Sequence, residues 1–250
     1  MIIDIDAGNT RIKWQASIRH QVVASGVDQG SESPLNAVYA ALSEQPKVIR
    51  VRLLSVRSTA DTAIIVTAVK SLWLVDAEII NSSESACGVT NGYSQADSLG
   101  VDRWSALVAG VQLAEQATGS KAVCVVDAGS ALTIDLVDNQ GAHEGGFIVP
   151  GLAMQLRALS QGTGNIDLAG IPVNPAWQPA TNTYDAVIAG VILGAQQLII
   201  AAVSDFERRH SISPRLLLTG GDGPTILQGL DAGFDYRPRL VLEGMVFLCP

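Results

Sequence analysis

The sequence predicts an α/β protein made of two similar halves, residues 1–117 and 118–250. Three observations carry that reading. Short apolar runs of strand type alternate with stretches of helical periodicity along the whole chain. The opening run, closed by Asp6-Ala7-Gly8-Asn9, returns in outline as Ala122-Val123-Cys124-Val125-Val126-Asp127-Ala128-Gly129-Ser130. Asp6 and Asp127 lie 121 positions apart in 250 residues, so the repeat is half a molecule long and not a solenoid unit.

Taken in order, IIDIDAGNTRIKWQASI reads as strand, tight turn and strand, because Asp, Gly and Asn interrupt two apolar runs. Gln21 to Ala24 supplies a third strand. Pro34 to Leu42 is expected to be helical, Val48 to Val56 a strand, Thr62 to Leu72 a helix and Leu74 to Ile80 a strand. The polar stretch Asn81 to Gly100 reads as loop. Arg103 to Ala117 carries Trp104, Leu107, Val108, Val111, Leu113 and Ala114 at helical spacing. The second half begins with the strand that ends at Asp127, followed by strands over Leu132 to Val137 and His143 to Val149. A helix from Leu152 to about Ser160 leads into a Gly/Pro/Asn-rich stretch, Gly162 to Asn182. The long apolar run Ala186 to Val203, a strand over Arg215 to Thr219, the turn Gly220-Gly221-Asp222-Gly223 and a closing helix–strand–helix complete the chain.

Composition excludes several classes. At 48% hydrophobic the chain is not a disordered polymer, and a length of 250 residues buries roughly 70% of the unfolded surface without disulfide or zinc support. Cys87, Cys124 and Cys249 are too few and too scattered for a disulfide framework. A net charge of −8 speaks against a nucleic-acid binder, whose affinity rests on cationic contacts to phosphates. A single nucleotide remains open, since it needs only a few local donors. Asp4 and Asp6 stand where a signal peptide needs cations. Gln196 and Gln197 interrupt the long apolar run and acids flank it, so a buried or interface helix is expected there and no membrane span. The expectation is a soluble, cytoplasmic protein.

The motifs narrow the chemistry. There is no G-x-x-x-x-G-K-[ST] loop, no G-x-G-x-x-G fingerprint, no G-x-S-x-G elbow and no Cys/His spacing of zinc type. Acids followed by glycine turns remain, and these suit phosphates: glycine lets backbone approach closely, exposed N–H groups donate, and acids hold the cations that neutralise the anion. In Asp6-Ala7-Gly8-Asn9-Thr10-Arg11-Ile12-Lys13, Asp6 can orient water on magnesium, Asn9 and Thr10 can bond phosphate oxygens, and Lys13 can reach a terminal phosphate. The same residues also compose an ordinary hairpin turn. Gly100-Val101-Asp102-Arg103 opens a helix, with Asp102 either a general base beside an anion-clamping Arg103 or a plain N-cap. Asn182-Thr183 likewise either contributes to a site or caps the long helix, and Tyr93 taken alone is a half-buried aromatic.

Six stretches in this order, DAGNTRIKW, YSQADSLGVDRWSALVAG, VVDAGSALTIDLVD, GGFIVPG, NTYDAVIAG and LTGGDG, resemble the type III pantothenate kinase family of the acetate kinase/hexokinase/actin-like superfamily. The resemblance spans nearly the whole chain; Ser130 stands where threonine is more usual and keeps the hydroxyl. It implies duplicated ribonuclease H-like (actin-like ATPase) halves with mixed sheets flanked by helices. It also implies transfer of the ATP γ-phosphoryl group to pantothenate, giving 4′-phosphopantothenate for coenzyme A synthesis. Matched by motif, Asp6, Ala7, Gly8, Asn9, Thr10, Arg11, Ile12, Lys13 and Ser130 are expected to bind ATP with Mg2+. Tyr93, Gly100, Val101, Asp102, Arg103 and Thr183 are expected to bind pantothenate, with Asp102 accepting its proton. Asp127 is assigned a monovalent cation, K+ or NH4+, and Gly220-Gly221 the adenosine side. A homodimer with the pantothenate pocket near its interface is implied as well. Another phosphotransferase or phosphohydrolase of the superfamily, and a non-catalytic regulatory role, stay open as alternatives.

Overall fold

A computed structural model describes residues 1–28, 34–162, 178–230 and 233–250. They form two compact units, one of Met1–Ala109 with Leu240–Pro250 and the other of Gly110–Arg239. The boundary between these units falls inside a helix, and the last eleven residues belong with the first unit.

In the first unit β1 (Ile2–Ala7), β2 (Ile12–Ile18) and β3 (Gln21–Asp28) make an antiparallel meander. After α1 (Asn36–Ala41), β4 (Arg50–Ser55) joins β1 in parallel; after α2 (Thr59–Trp73), β5 (Ala77–Ile79) joins β4 in parallel. The strand order is β3-β2-β1-β4-β5. Alternation along β1 sorts the faces. Ile3, Ile5 and Ala7 enter a core with Ile12, Trp14, Val51 and Leu53 of neighbouring strands, Val38 of α1, and Ile65, Val69 and Trp73 of α2. α2 starts three residues earlier than its apolar pattern suggested, because Ser58 caps it: its Oγ accepts from the Asp61 amide at 3.1 Å.

The opposite face of the same strands carries Asp4 and Asp6. Asp4 is fully buried and accepts from Arg52 Nε at 2.6 Å and Gln15 Nε2 at 3.0 Å, its two register partners. Arg52 also donates to the Cys249 carbonyl at 2.8 Å, and Arg50 to the Pro250 carbonyl at 2.7 Å, so the chain end is tied to β4. Arg50 pairs in addition with Glu78, whose carboxyl its hydrogen bonds hold down at about 2. The stretch expected as loop holds a short hairpin, β6 (Ser85–Ala86) with β7 (Val89–Thr90), and one 3-10 turn at Ala96–Ser98 before α3 (Val101–Thr118).

The second unit repeats the plan. β8 (Val123–Ala128), β9 (Ala131–Val137) and β10 (His143–Pro150) form the meander, followed by α4 (Leu152–Gly162) and α5 (Thr183–His210). β11 (Arg215–Thr219) then pairs in parallel with β8, and after α6 (Gly223–Leu227) β12 (Phe234–Tyr236) pairs with β11. The order β10-β9-β8-β11-β12 matches that of the first sheet. The chain closes with α7 (Leu240–Leu248). Residues 163–177 of the Gly/Pro/Asn-rich stretch lie outside the described residues.

Ile188, Val191, Ile192, Ala195, Ile199 and Phe206 of α5 cover Val126, Ile134 and Leu136 of the sheet. α5 is long and apolar enough to cross a membrane by length and composition, yet this stripe of it is core. On the other face α3 lies close, because Gly110 leaves room for Val125: a Cβ there would stand 2.9 Å from its side chain.

Candidate active site

The β1–β2 hairpin places the first candidate group. Asp6 and Lys13 are register partners across the pair, so both side chains leave the same face of the sheet. Asp6 is buried and Lys13 half-buried, while Asn9, Thr10 and Arg11 form an exposed tip. Ala7 and Ile12, the other members of the octet, are buried anchors beneath the turn and offer only backbone. Two bonds brace the turn from β4: Val56 N donates to the Ala7 carbonyl at 3.3 Å, and Arg57 Nε donates to the Gly8 carbonyl at 2.8 Å. Arg57 was missed by the sequence reading, since a single arginine after a strand carries no local pattern.

The α3 segment gathers a second group. The helix begins at Val101, which puts Gly100 at the cap position and Asp102 at the second helical residue. The simple N-cap alternative for Asp102 therefore does not describe it. Its Oδ1 accepts from the Arg103 amide at 2.8 Å and lies where a side chain on Gly100 would intrude, 2.8 Å from such a Cβ. Glycine at 100 thus leaves room for that carboxylate. Arg103 is buried and donates through Nη1 to the Tyr93 hydroxyl at 2.8 Å, with its guanidinium 5.5 Å from the Tyr93 ring centre. Tyr93 is held in turn by its amide, which donates to Asn91 Oδ1 at 3.0 Å. Tyr93, Gly100, Asp102 and Arg103 thus lie together, with Val101 opening the helix between them. An aspartate beside a hydrogen-bonded Arg–Tyr pair can take up a proton next to an anion clamp.

The β8–β9 hairpin is the counterpart in the second unit. Its tip, Gly129-Ser130, is clasped from two sides. Gly151 N donates to the Ser130 carbonyl at 3.1 Å, and a Cβ on Gly151 would collide with the Gly129 carbonyl and stand 2.7 Å from that of Ser130. Asp222 N donates to the Ala128 carbonyl at 2.9 Å. Between them Gly220 has φ +91°, and a Cβ there would meet the Ala128 carbonyl and come within 2.5 Å of Asp127 Oδ1. The Tyr236 hydroxyl donates to the Gly220 carbonyl at 3.0 Å, and burial together with the Asp127 charge pushes its pKa up. Asp127, Thr133 and Thr219 are register partners on three adjacent strands and share one face. Thr219 is 1% exposed, and its hydroxyl has no hydrogen-bond partner among the described residues.

Thr183 opens α5 as an exposed first helical residue, and the cap is Asn182, whose Oδ1 accepts from the Asp185 amide at 2.9 Å. Capping thus accounts for Asn182 and leaves Thr183 available. Ser130 is likewise exposed. Gly151 and Asp222 fall within the stretches GGFIVPG and LTGGDG, but their clasping roles are not visible there, because their partners lie more than twenty and ninety residues upstream in the chain.

Two matching five-stranded mixed sheets, each headed by an acid–glycine hairpin, define a class: the ribonuclease H-like, actin-like ATPase fold. Solved structures share it. A Campylobacter jejuni protein of the Baf family is 22% identical with a TM-score of 0.60, covering 98% of this chain and 96% of that one. A ROK family protein from Streptococcus pneumoniae is 14% identical with a TM-score of 0.51, covering 98% and 96%. Sequence narrows the class. The type III pantothenate kinase profile matches residues 2–205. The type III pantothenate kinase of Alkalilimnicola ehrlichii is 35% identical over 247 residues, 98% of this chain and 96% of that protein. That of Halorhodospira halophila is 33% identical over 248 residues, 97% and 95%. The chain belongs to the type III pantothenate kinase family and is a phosphotransferase.

Proposed function

We propose that this chain transfers the γ-phosphoryl group of ATP to the primary hydroxyl of pantothenate, yielding 4′-phosphopantothenate for coenzyme A synthesis. The observation that carries the reading, within this family, is the Asp102 carboxylate set over Gly100 beside the Arg103–Tyr93 pair. Arg103 and Tyr93 offer a cation and a hydroxyl to the pantothenate carboxylate and polar chain, and Thr183 offers a further hydroxyl. The substrate hydroxyl bonds to Asp102, its oxygen attacks the γ-phosphorus, the bond to ADP breaks, and the proton passes to the carboxylate. Phosphoryl transfer has a loose transition state, so holding the two substrates in line contributes more than base strength.

In the first unit Gly8, Asn9 and Thr10 supply phosphate donors and Lys13 a cation. Asp6 fits a magnesium-bearing nucleotide, because Mg2+ typically keeps most of its waters and takes one or two protein carboxylates. When bound, the ion neutralises phosphate charge that the N–H groups alone do not. In the second unit Ser130 and the backbone of its hairpin provide further donors, and Gly220-Gly221 faces the adenosine side. The unpartnered Thr219 hydroxyl on the face of Asp127, next to the space that Gly220 keeps clear, suits a potassium-type ion with oxygen ligands.

The chain is read as a cytoplasmic homodimer. Phe147 and Ile148 of β10, Met154 and Leu159 of α4, and Leu193 and Ile200 of α5 are exposed large apolar residues of one unit, surface that a second copy would cover. Gly190 and Gly194 on α5 border open space, which allows a second backbone to approach.

A coupled assay of ADP release tests the function. Release should require pantothenate. Release that is equal without it, or that is driven instead by acetate or a hexose, would overturn the assignment in favour of another phosphotransferase of the class.

A further inference from the structure

We propose that Arg57 is a further residue of the nucleotide site, one that both fixes the first phosphate hairpin and adds a cation to it. The inference rests on the ATP-binding reading of that hairpin. Arg57 lies in the connection from β4 to α2, and β4 runs parallel to β1 with Ser55 opposite Ala7. The connection therefore emerges beside the β1–β2 turn. There the Arg57 Nε donates to the Gly8 carbonyl at 2.8 Å. The connection is braced beneath it: Arg57 N donates to Ser55 Oγ at 3.3 Å, and Ser55 Oγ shares a hydrogen bond of 2.7 Å with Thr62 Oγ1 at the start of α2. The guanidinium is thus held at the apex of the turn whose amides and hydroxyls face phosphate.

A guanidinium carries five N–H donors in one plane. In Arg57 only Nε meets a side-chain or carbonyl acceptor among the described residues, and no carboxylate pairs with the charge. Arg50, Arg52, Arg209 and Arg215 each meet a carboxylate in their own unit. An arginine anchored through Nε and uncompensated in charge has its outer edge left to grip an anion with two parallel bonds, the geometry that suits phosphate. Arg57 is half-buried, so the charge sits in a defined place instead of sweeping through solvent on a loose stem. The ligand this calls for is the polyphosphate of ATP. Pantothenate also carries an anion, but Arg103 and Tyr93 already form a separate clamp beside Asp102.

The test is calorimetric ATP binding to the unaltered protein, Arg57→Gln and Arg57→Lys across a range of salt, with pantothenate KM measured alongside. Arg57→Gln should weaken ATP at least about tenfold and flatten the salt dependence, since one screened charge contact is gone. Pantothenate KM should stay within about twofold. Arg57→Lys should restore the salt dependence while recovering only part of the affinity, because the forked geometry is lost. Unchanged ATP affinity in Arg57→Gln overturns the proposal, as does a loss confined to pantothenate. Weakened binding with an unaltered salt dependence also overturns it, because Arg57 would then only pin Gly8. Circular dichroism establishes folding, and if Arg57→Gln does not fold, the Arg57→Lys affinity and salt dependence decide alone. If the unaltered protein does not bind ATP, the proposed function itself fails; if it binds ATP and Arg57→Gln binds it equally, only the role of Arg57 does.

Discussion

In the proposed reaction Asp102 takes the proton, and its place in the helix sets it apart from a plain N-cap. A cap at the second helical position is not available to it, and its carboxylate instead bonds its neighbour's amide over a glycine. Asp102→Asn keeps shape and can still accept from Arg103 N, but it cannot take up a proton. Turnover should fall about 10²–10⁴-fold with ATP affinity and melting temperature nearly unchanged. Steady-state kinetics with nucleotide titration checks this, and near-normal turnover would remove Asp102 from the base role. Asp127 gives a second prediction at this scale. With magnesium present and ionic strength fixed, activity should rise when potassium or ammonium replaces sodium, and Asp127→Ala should lose that selectivity with most of its activity. Constant ionic strength matters because a net charge of −8 makes ATP encounter sensitive to screening by any salt. Equal rates in sodium and potassium would dismiss the cation while leaving the kinase untouched. Asp6 and Asp127 were legible in the sequence because each ends an apolar run at a glycine turn, and Asp102 because it stands where a helix opens, in a stretch that carries the family resemblance. Arg57, Gly151 and Thr219 were not, because what matters about them is a carbonyl, a clash or an unmet hydroxyl that exists only after strands distant in sequence align.

At the scale of elements, the closing helix shows what periodicity reveals and what it leaves out. A closing helix is expected at the end of the chain, without set bounds, and α7 is there. Spacing tells which residues of a helix are apolar but not which sheet they cover. α7 buries Leu240, Val241, Leu242 and Met245, and polar atoms add to the tie within the first unit: Arg52 and Arg50 hold the Cys249 and Pro250 carbonyls, and Ser105 Oγ donates to the Val241 carbonyl at 2.8 Å. α7 meets α3 at Gly244, where an added Cβ would collide with the Ser105 carbonyl and lie 2.5 Å from its hydroxyl. Ser105 is three residues beyond Asp102. Gly244→Ala should therefore do two things at once. It should cost about 1–3 kcal/mol of stability through overpacking, and it should lower turnover by displacing the first turn of α3. Thermal unfolding read beside kinetics checks both. Lost stability with untouched kinetics would show that the first turn of α3 is held independently of α7.

At the scale of the whole molecule, duplication was the most legible feature, since a repeat half the chain long survives in spacing even where identities have drifted. Assembly is harder to read, because an interface face and a membrane face share the same apolar composition, and α5 is long and apolar enough for either. The fold separates its faces. Ile188, Ile192, Ala195 and Ile199 are spent on the core, while Leu193 and Ile200 stay 48% and 41% exposed and Gly190 and Gly194 border open space. A second copy packed on that face would remove the exposed half of both large side chains from water, worth about 0.7–1.4 kcal/mol each, or roughly three- to tenfold in the dimer dissociation constant per side chain. Leu193→Glu and Ile200→Glu should accordingly convert a dimer into monomers at micromolar concentration, each with an unaltered far-ultraviolet spectrum. The resemblance puts pantothenate near the subunit interface, and Thr183 begins this same helix, so the monomers should show a raised pantothenate KM with ATP affinity retained. Light scattering coupled to size exclusion, read beside kinetics, distinguishes the outcomes. A unaltered chain that elutes as a monomer would refute the dimer, and a dimer unmoved by both substitutions would place its interface away from α5.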